Sequence, residues 1–226
     1  MNSTLTKSVL DHVTQYQSIL GNRDYYLIVD RSGSQSAAND TRTGQTRWEY
    51  QKEDLLALVA GLDTLDPDGV TFILFNTAYE VHENAKAATI DTILGNTFPM
   101  GGTAITPPVA WALNDYLTTR KAGNAKPNGA MLVIVTDGEP SDNRDKVSLF
   151  QTIAQFTQSL PEGREEVGIL FVQNGRDPDA AKFLHELDDD MVTTHGAKYD
   201  IVSVVTEDQI EGDLGITGAL VSALSE

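Results

Sequence analysis

Asp30, Ser32 and Ser34 alternate along one polar loop, Asp30-Arg31-Ser32-Gly33-Ser34, and two further polar clusters follow it, Gly101-Gly102-Thr103 and Thr136-Asp137-Gly138-Glu139-Pro140. Their two aspartates and three hydroxyls make a donor set of hard oxygens, which suits Mg2+, Mn2+ or Ca2+ and disfavours zinc or copper. There is no cysteine to supply a thiolate, a disulfide or a nucleophile. The four histidines, His12, His82, His185 and His195, include no two at metal-binding spacing on one helix. A single Asp at a strand end is usually a turn or capping residue. The weight therefore lies on the three clusters together, and on whether the fold brings them to one place.

The elements that must do so are legible as short apolar runs: Tyr25 to Val29, Val70 to Phe75, Met131 to Val135, Val167 to Val172 and Ile201 to Val205. Near-continuous Val- and Ile-rich character predicts strands buried on both faces, and hence a largely parallel sheet. Tyr79-Glu80-Val81-His82 lies too close behind the second run for a crossover helix and predicts a short antiparallel edge strand. Helical faces are predicted from Leu55, Leu58, Val59 and Leu62; from Val109, Leu113, Tyr116 and Leu117; from Phe150, Ile153 and Leu160; and from Phe183, Leu184 and Leu187. Thr106 before Pro107 reads as an N-cap, and Thr206 with Gln209 as a capping box. Leu5, Val9, Val13, Tyr16 and Leu20 predict an amphipathic helix within residues 1–22.

This alternation predicts an α/β, three-layer, doubly wound and Rossmann-like fold, with residues 1–226 forming a single domain. Asp30 ends the first run and Asp137 follows the third, so both sit at carboxyl ends of strands, where doubly wound folds bind ligands. The polar stretch Gln35 to Arg47, with no predicted element, follows the first strand at that same edge.

The pattern Asp-x-Ser-x-Ser, then Thr after Gly-Gly, then Asp-Gly after an apolar strand resembles the metal-ion-dependent adhesion site of von Willebrand factor type A domains, over roughly Tyr25 to Leu224. The resemblance implies strand order 3-2-1-4-5-6 with an antiparallel strand 3. It implies that Ser32 and Ser34 coordinate the cation, that Thr103 binds directly or through water, and that Asp30 and Asp137 act through water or orient the hydroxyls. It implies Mg2+, or Mn2+ or Ca2+, and a protein partner that supplies an Asp or Glu to the metal. The local variant is similar to bacterial stand-alone members of the TerY-like group, which implies a regulatory or scaffold role beside an ATPase or a kinase and phosphatase pair. Gln35 and the long Ser36 to Arg47 loop depart from the usual pattern, and Asn39, Asp40 and Arg42 are expected at the rim of the site. Glu139 is either a further rim residue or a first-turn acid that interacts with a helix dipole.

Charge and motif content narrow the function classes. With 16 Lys and Arg against 33 Asp and Glu, the net charge is −17 and the pI about 4.4, which disfavours nucleic acid and anionic membrane as partners. Met1 to Leu20 lacks a basic region followed by an apolar run, and a cytoplasmic location is expected. No Gly-x-Ser-x-Gly elbow or Walker loop is present, and an Asp-x-Asp phosphatase would need a carboxylate where Ser32 stands. A binding module rather than an enzyme is the expectation; metal-dependent phosphatase or phosphoryl-transfer chemistry at the same site is the alternative.

Overall fold

The computed structural model describes residues 11, 14–38, 44–64, 68–210 and 215–225. His12 and the apolar positions Leu5, Val9 and Val13 of the expected N-terminal helix lie outside them; within them, α1 covers Gln17–Leu20. Strands β1 (Asp24–Asp30), β2 (Val70–Phe75), β3 (Tyr79–Ala85), β4 (Ala130–Thr136), β5 (Val167–Gln173) and β6 (Val202–Thr206) form one sheet in the order β3-β2-β1-β4-β5-β6. Only the β2–β3 pairing is antiparallel. The architecture is thus the expected α/β doubly wound sheet, with the winding reversing between β1 and β4.

Alternation along each strand divides the side chains between two cores. Tyr25, Leu27 and Val29 of β1 face a layer containing α2 (Arg47–Leu62), α3 (Ala87–Gly95) and α8 (Gly215–Ser225). Tyr26 and Ile28 face α4 (Thr106–Lys121), α5 (Asn143–Thr157) and α6 (Pro178–Asp189). Because both faces are covered, β4 and β5 are buried at every position. Each Leu, Ile or Phe so placed contributes about 1.5–3 kcal/mol by leaving water. Among the described residues, no helix is long and apolar enough to cross a membrane.

Two local expectations need correction, and one helix was not expected. The edge strand β3 runs to Ala85, longer than its apolar signal, because main-chain pairing with β2 continues as far as Val70 and Ala85. Thr106 is the first residue of α4 rather than its N-cap. The Asp145 carboxylate of α5 accepts the amides of Ile105 and Thr106 instead, at 2.8 and 3.2 Å, and the Thr106 hydroxyl donates to the Asp145 carbonyl. Helix α3 had no counterpart in the sequence reading; its buried contribution is Ile90 and Leu94, one i,i+4 pair, too little to mark a period. The expected link between Thr206 and Gln209 is present in part, with the Gln209 side chain accepting the Thr206 amide at 2.8 Å at the start of α7 (Glu207–Ile210).

Candidate metal centre

Pairing of β1 with β4 sets Val29 opposite Val135, so the ends of both strands emerge side by side at the switch point. Asp30, fully buried, binds in both directions from there. One carboxylate oxygen accepts the Ser32 amide at 2.7 Å, and the other accepts the Thr136 hydroxyl at 2.8 Å. The first bond turns the chain out of the sheet. The second ties it to β4. Ser32 then leads with extended backbone into a 3-10 turn at Gly33–Ser36, which brings the Ser32 and Ser34 hydroxyls to 3.0 Å from each other. Ser34 donates onward to Asp137 at 2.8 Å.

The third cluster is held to the other two through its backbone. The Gly33 amide donates to the Gly101 carbonyl at 3.0 Å, and the Met100 amide to the Arg31 carbonyl at 2.8 Å. Gly101 takes a left-handed φ of +83°, which favours glycine there. On the far side, the Thr103 amide donates to the Ser141 hydroxyl at 2.9 Å, and the Ser141 amide donates to the Thr103 carbonyl at 3.0 Å. Asp30, Ser32, Ser34 and Asp137 are therefore joined by direct hydrogen bonds, and Thr103, buried, is fixed in the loop that packs on them.

Two buried carboxylates so close together are costly when both are ionised. Burial, then the negative charge of Asp137, pushes the Asp30 carboxyl up to about 7, against opposing hydrogen bonds from Ser32 and Thr136. Burial also raises Asp137, while hydrogen bonds from Ser34 and Arg47 work the other way. Arg47, the first residue of α2, donates from Nη1 to Asp137 Oδ2 at 3.1 Å.

The donor set fits a small hard cation. The two serine hydroxyls, hydrogen-bonded to each other at 3.0 Å, stand no farther apart than two ligands at right angles ~2.1 Å from an octahedral ion, about 3.0 Å. The donors are all oxygen, and the two carboxylates repel each other, a repulsion that a cation between them would relieve. Among the described residues, no group of three or more His, Cys, Asp or Glu side chains gathers as a ligand cluster. The candidate centre combines two carboxylates with hydroxyls instead.

The expected rim residues Asn39, Asp40 and Arg42 lie outside the described residues. Glu139 is not a first-turn acid, because α5 begins only at Asn143; its carboxylate pairs with Lys146 at 3.7 Å. The two described ends of the Gln35 to Arg47 stretch hold elements that its polar composition does not predict. Gln35 belongs to the 3-10 turn and is buried, and Arg47 is already helical. Sequence reasoning missed Arg47, Gln51, Ser141 and Asn174. Gln51 donates to the Asp30 carbonyl at 3.1 Å, and Asn174 donates to the Gln35 side chain at 2.9 Å and the Arg47 carbonyl at 3.0 Å. Their only advance signal was polar identity beside a strand end or helix start.

No protein-family model matches the chain, and no curated protein matches it. Among solved structures, it is similar to the D319A mutant of the PilB minor pilin from Streptococcus sanguinis, with a TM-score of 0.64 and 11% identity. That superposition covers 91% of this chain and 62% of the pilin chain, so this chain spans less than two thirds of that protein. It is also similar to the conserved hypothetical protein BatB from Bacteroides thetaiotaomicron, with a TM-score of 0.53 and 18% identity, over 90% of this chain and 97% of that one. At such identities the likeness speaks for the fold alone, and with the observed strand order it supports a fold like that of von Willebrand factor type A domains.

Proposed function

We propose that the chain is a divalent-cation-dependent protein-binding module, with Ser32, Ser34 and Thr103 supplying neutral oxygens and Asp30 and Asp137 supplying the negative charge. The observation that carries this reading is the pair of serine hydroxyls 3.0 Å apart with Ser34 anchored on Asp137 at 2.8 Å. Donation to Asp137 directs a lone pair of the Ser34 oxygen away from the carboxylate, and Asp30 holds the Ser32 backbone in place. The ion, Mg2+ or else Mn2+ or Ca2+, supplies when bound a Lewis-acidic vertex for an outside carboxylate. The ligand is accordingly an Asp or Glu of a partner protein, and the role a regulatory or scaffold one, beside an ATPase or a kinase and phosphatase pair. A cytoplasmic location belongs to the same reading.

The test is calorimetric titration of metal-stripped protein with Mg2+, Mn2+ and Ca2+, beside Asp30→Ala, Ser32→Ala and Asp137→Ala, with circular dichroism to check the fold. Saturable 1:1 binding in the wild type, lost in folded variants, is the expected result. Equal binding in wild type and variants, or none in the wild type, would overturn the reading.

A further inference from the structure

The ion pair between Arg47 and Asp137 is sheltered, with 15% of the Arg47 side chain and none of the Asp137 side chain exposed. It is also built from several directions. A capping box between Thr46 and Glu49 fixes the start of α2, the Arg47 amide donates to the Ala37 carbonyl at 2.9 Å, and Asn174 donates to the Arg47 carbonyl at 3.0 Å. Gly175 makes room for the side chain. Its φ is +98°, and a Cβ there would lie 2.6 Å from Arg47 Nε and 2.8 Å from Cζ, so the guanidinium rests on bare main chain. The buried Glu207 carboxylate accepts the Gly175 amide and holds that main chain in turn.

A cation in the first turn of a helix opposes the helix dipole, so the α2 terminus itself gains nothing from Arg47. At Asp137 the arginine gains a charged partner. Ser34 takes one oxygen of that carboxylate and Arg47 the other. We infer that Arg47 is a built-in counter-charge on Asp137, one that weakens the site's hold on a divalent cation and leaves the filled site electropositive toward an incoming carboxylate. The charge count gives the reason. Counted over Asp30, Asp137 and Arg47, the ionised carboxylates carry two negative charges and a divalent ion cancels both, so Arg47 in contact with Asp137 leaves one positive charge over among these three side chains, with the Glu207 carboxylate on the other side of Gly175 outside the count. An acidic ligand then neutralises the site, and cation and ligand each tighten the binding of the other. The inference rests on the proposed cation site and names how that site is tuned toward acidic ligands.

The experiment titrates Mg2+ into metal-stripped wild type, Arg47→Gln and Arg47→Lys, with and without excess acetate as the carboxylate probe. Removing one charge in contact with Asp137 is expected to tighten Mg2+ binding by about tenfold or more. Arg47→Lys keeps the charge and is expected to stay near wild type. Acetate is expected to tighten Mg2+ binding in the wild type and to do so markedly less in Arg47→Gln. A measurement on the unmutated protein guards against a folding defect in Arg47→Gln: the Arg47 Nε–H signal in 15N-labelled wild type is expected to move as Mg2+ saturates the site. Binding that is unchanged or weakened in folded Arg47→Gln, or an unmoved Arg47 signal at saturation, overturns the counter-charge and leaves the cation site standing. No Mg2+ binding by either protein overturns both readings.

Discussion

Ser141 brackets Thr103: its hydroxyl accepts the Thr103 amide at 2.9 Å, and its own amide donates to the Thr103 carbonyl at 3.0 Å. The loop after β4 thus sets the position of the one hydroxyl candidate that lies outside the β1 loop. Ser141→Ala removes the acceptor and leaves the partly buried Thr103 amide without it. The expected cost is about 1–2 kcal/mol in urea unfolding. On the proposed site, Mg2+ affinity should also fall by about tenfold, as is usual when a residue that orients a ligand is lost. A variant that loses stability but keeps full Mg2+ affinity would separate Thr103 from the cation.

Asp145 offers the opposite dissociation, stability without site chemistry. Its carboxylate accepts two amides at the start of α4 while sitting in the first turn of α5, where the helix dipole favours an acid. Asp145→Ala should destabilise the protein by about 2 kcal/mol, at the upper end for a lost cap because two amides lose their acceptor together. Asp145→Asn, which keeps an acceptor oxygen, should recover part of this. Both variants should bind Mg2+ as the wild type does, and calorimetry on them checks it.

These relationships mark what the sequence could and could not convey. Strand runs such as Met131 to Val135 are legible because burial on both faces demands apolar residues at consecutive positions. The three polar clusters are legible because each follows or sits beside such a run or a helix start, and the sheet order brings the carboxyl ends of β1 and β4 together. The supports of the site are different in kind. Thr106 meets Asp145 across 39 positions, Arg47 meets Asp137 across 90, and Asn174 meets Gln35 across 139. No local period or capping pattern encodes such pairings. Thr106 shows the cost of reading locally: its residue type and the following proline both suit an N-cap, yet a carboxylate from another helix takes that role.

Asp30 gives the metal-free protein a pH dependence of definite sign. Its carboxyl is pushed up from an ordinary 3.8 to about 7, so the native state holds the proton more tightly than the unfolded chain. The stabilisation this gives is fully present below about 3.8 and is lost as pH rises through about 7. With EDTA present, the unfolding free energy of wild type should therefore drop relative to Asp30→Asn between pH 4 and pH 8. Comparing the two proteins cancels the background from the net charge of −17. Parallel curves would show that Asp30 titrates normally.

Asn174 is the residue whose loss should reach furthest. Its amide nitrogen donates to the Gln35 side chain at 2.9 Å, to the Arg47 carbonyl at 3.0 Å and to the Gln51 side chain at 3.3 Å, all at the carboxyl edge of the sheet. Gln51 in turn donates to the Asp30 carbonyl at 3.1 Å. One buried side chain thereby links the turn after β1, the start of α2 and the end of β5. Asn174→Ala removes the two N–H groups that these three acceptors share, in a place that water reaches poorly, and the expected loss is about 2–3 kcal/mol in urea unfolding. Because the network holds both Arg47 and the Asp30 backbone, the double variant Asn174→Ala with Gln51→Ala should cost less than the sum of the two single changes. A double-mutant cycle measures that coupling directly. Strict additivity would mean that Asn174 and Gln51 support the site independently of each other.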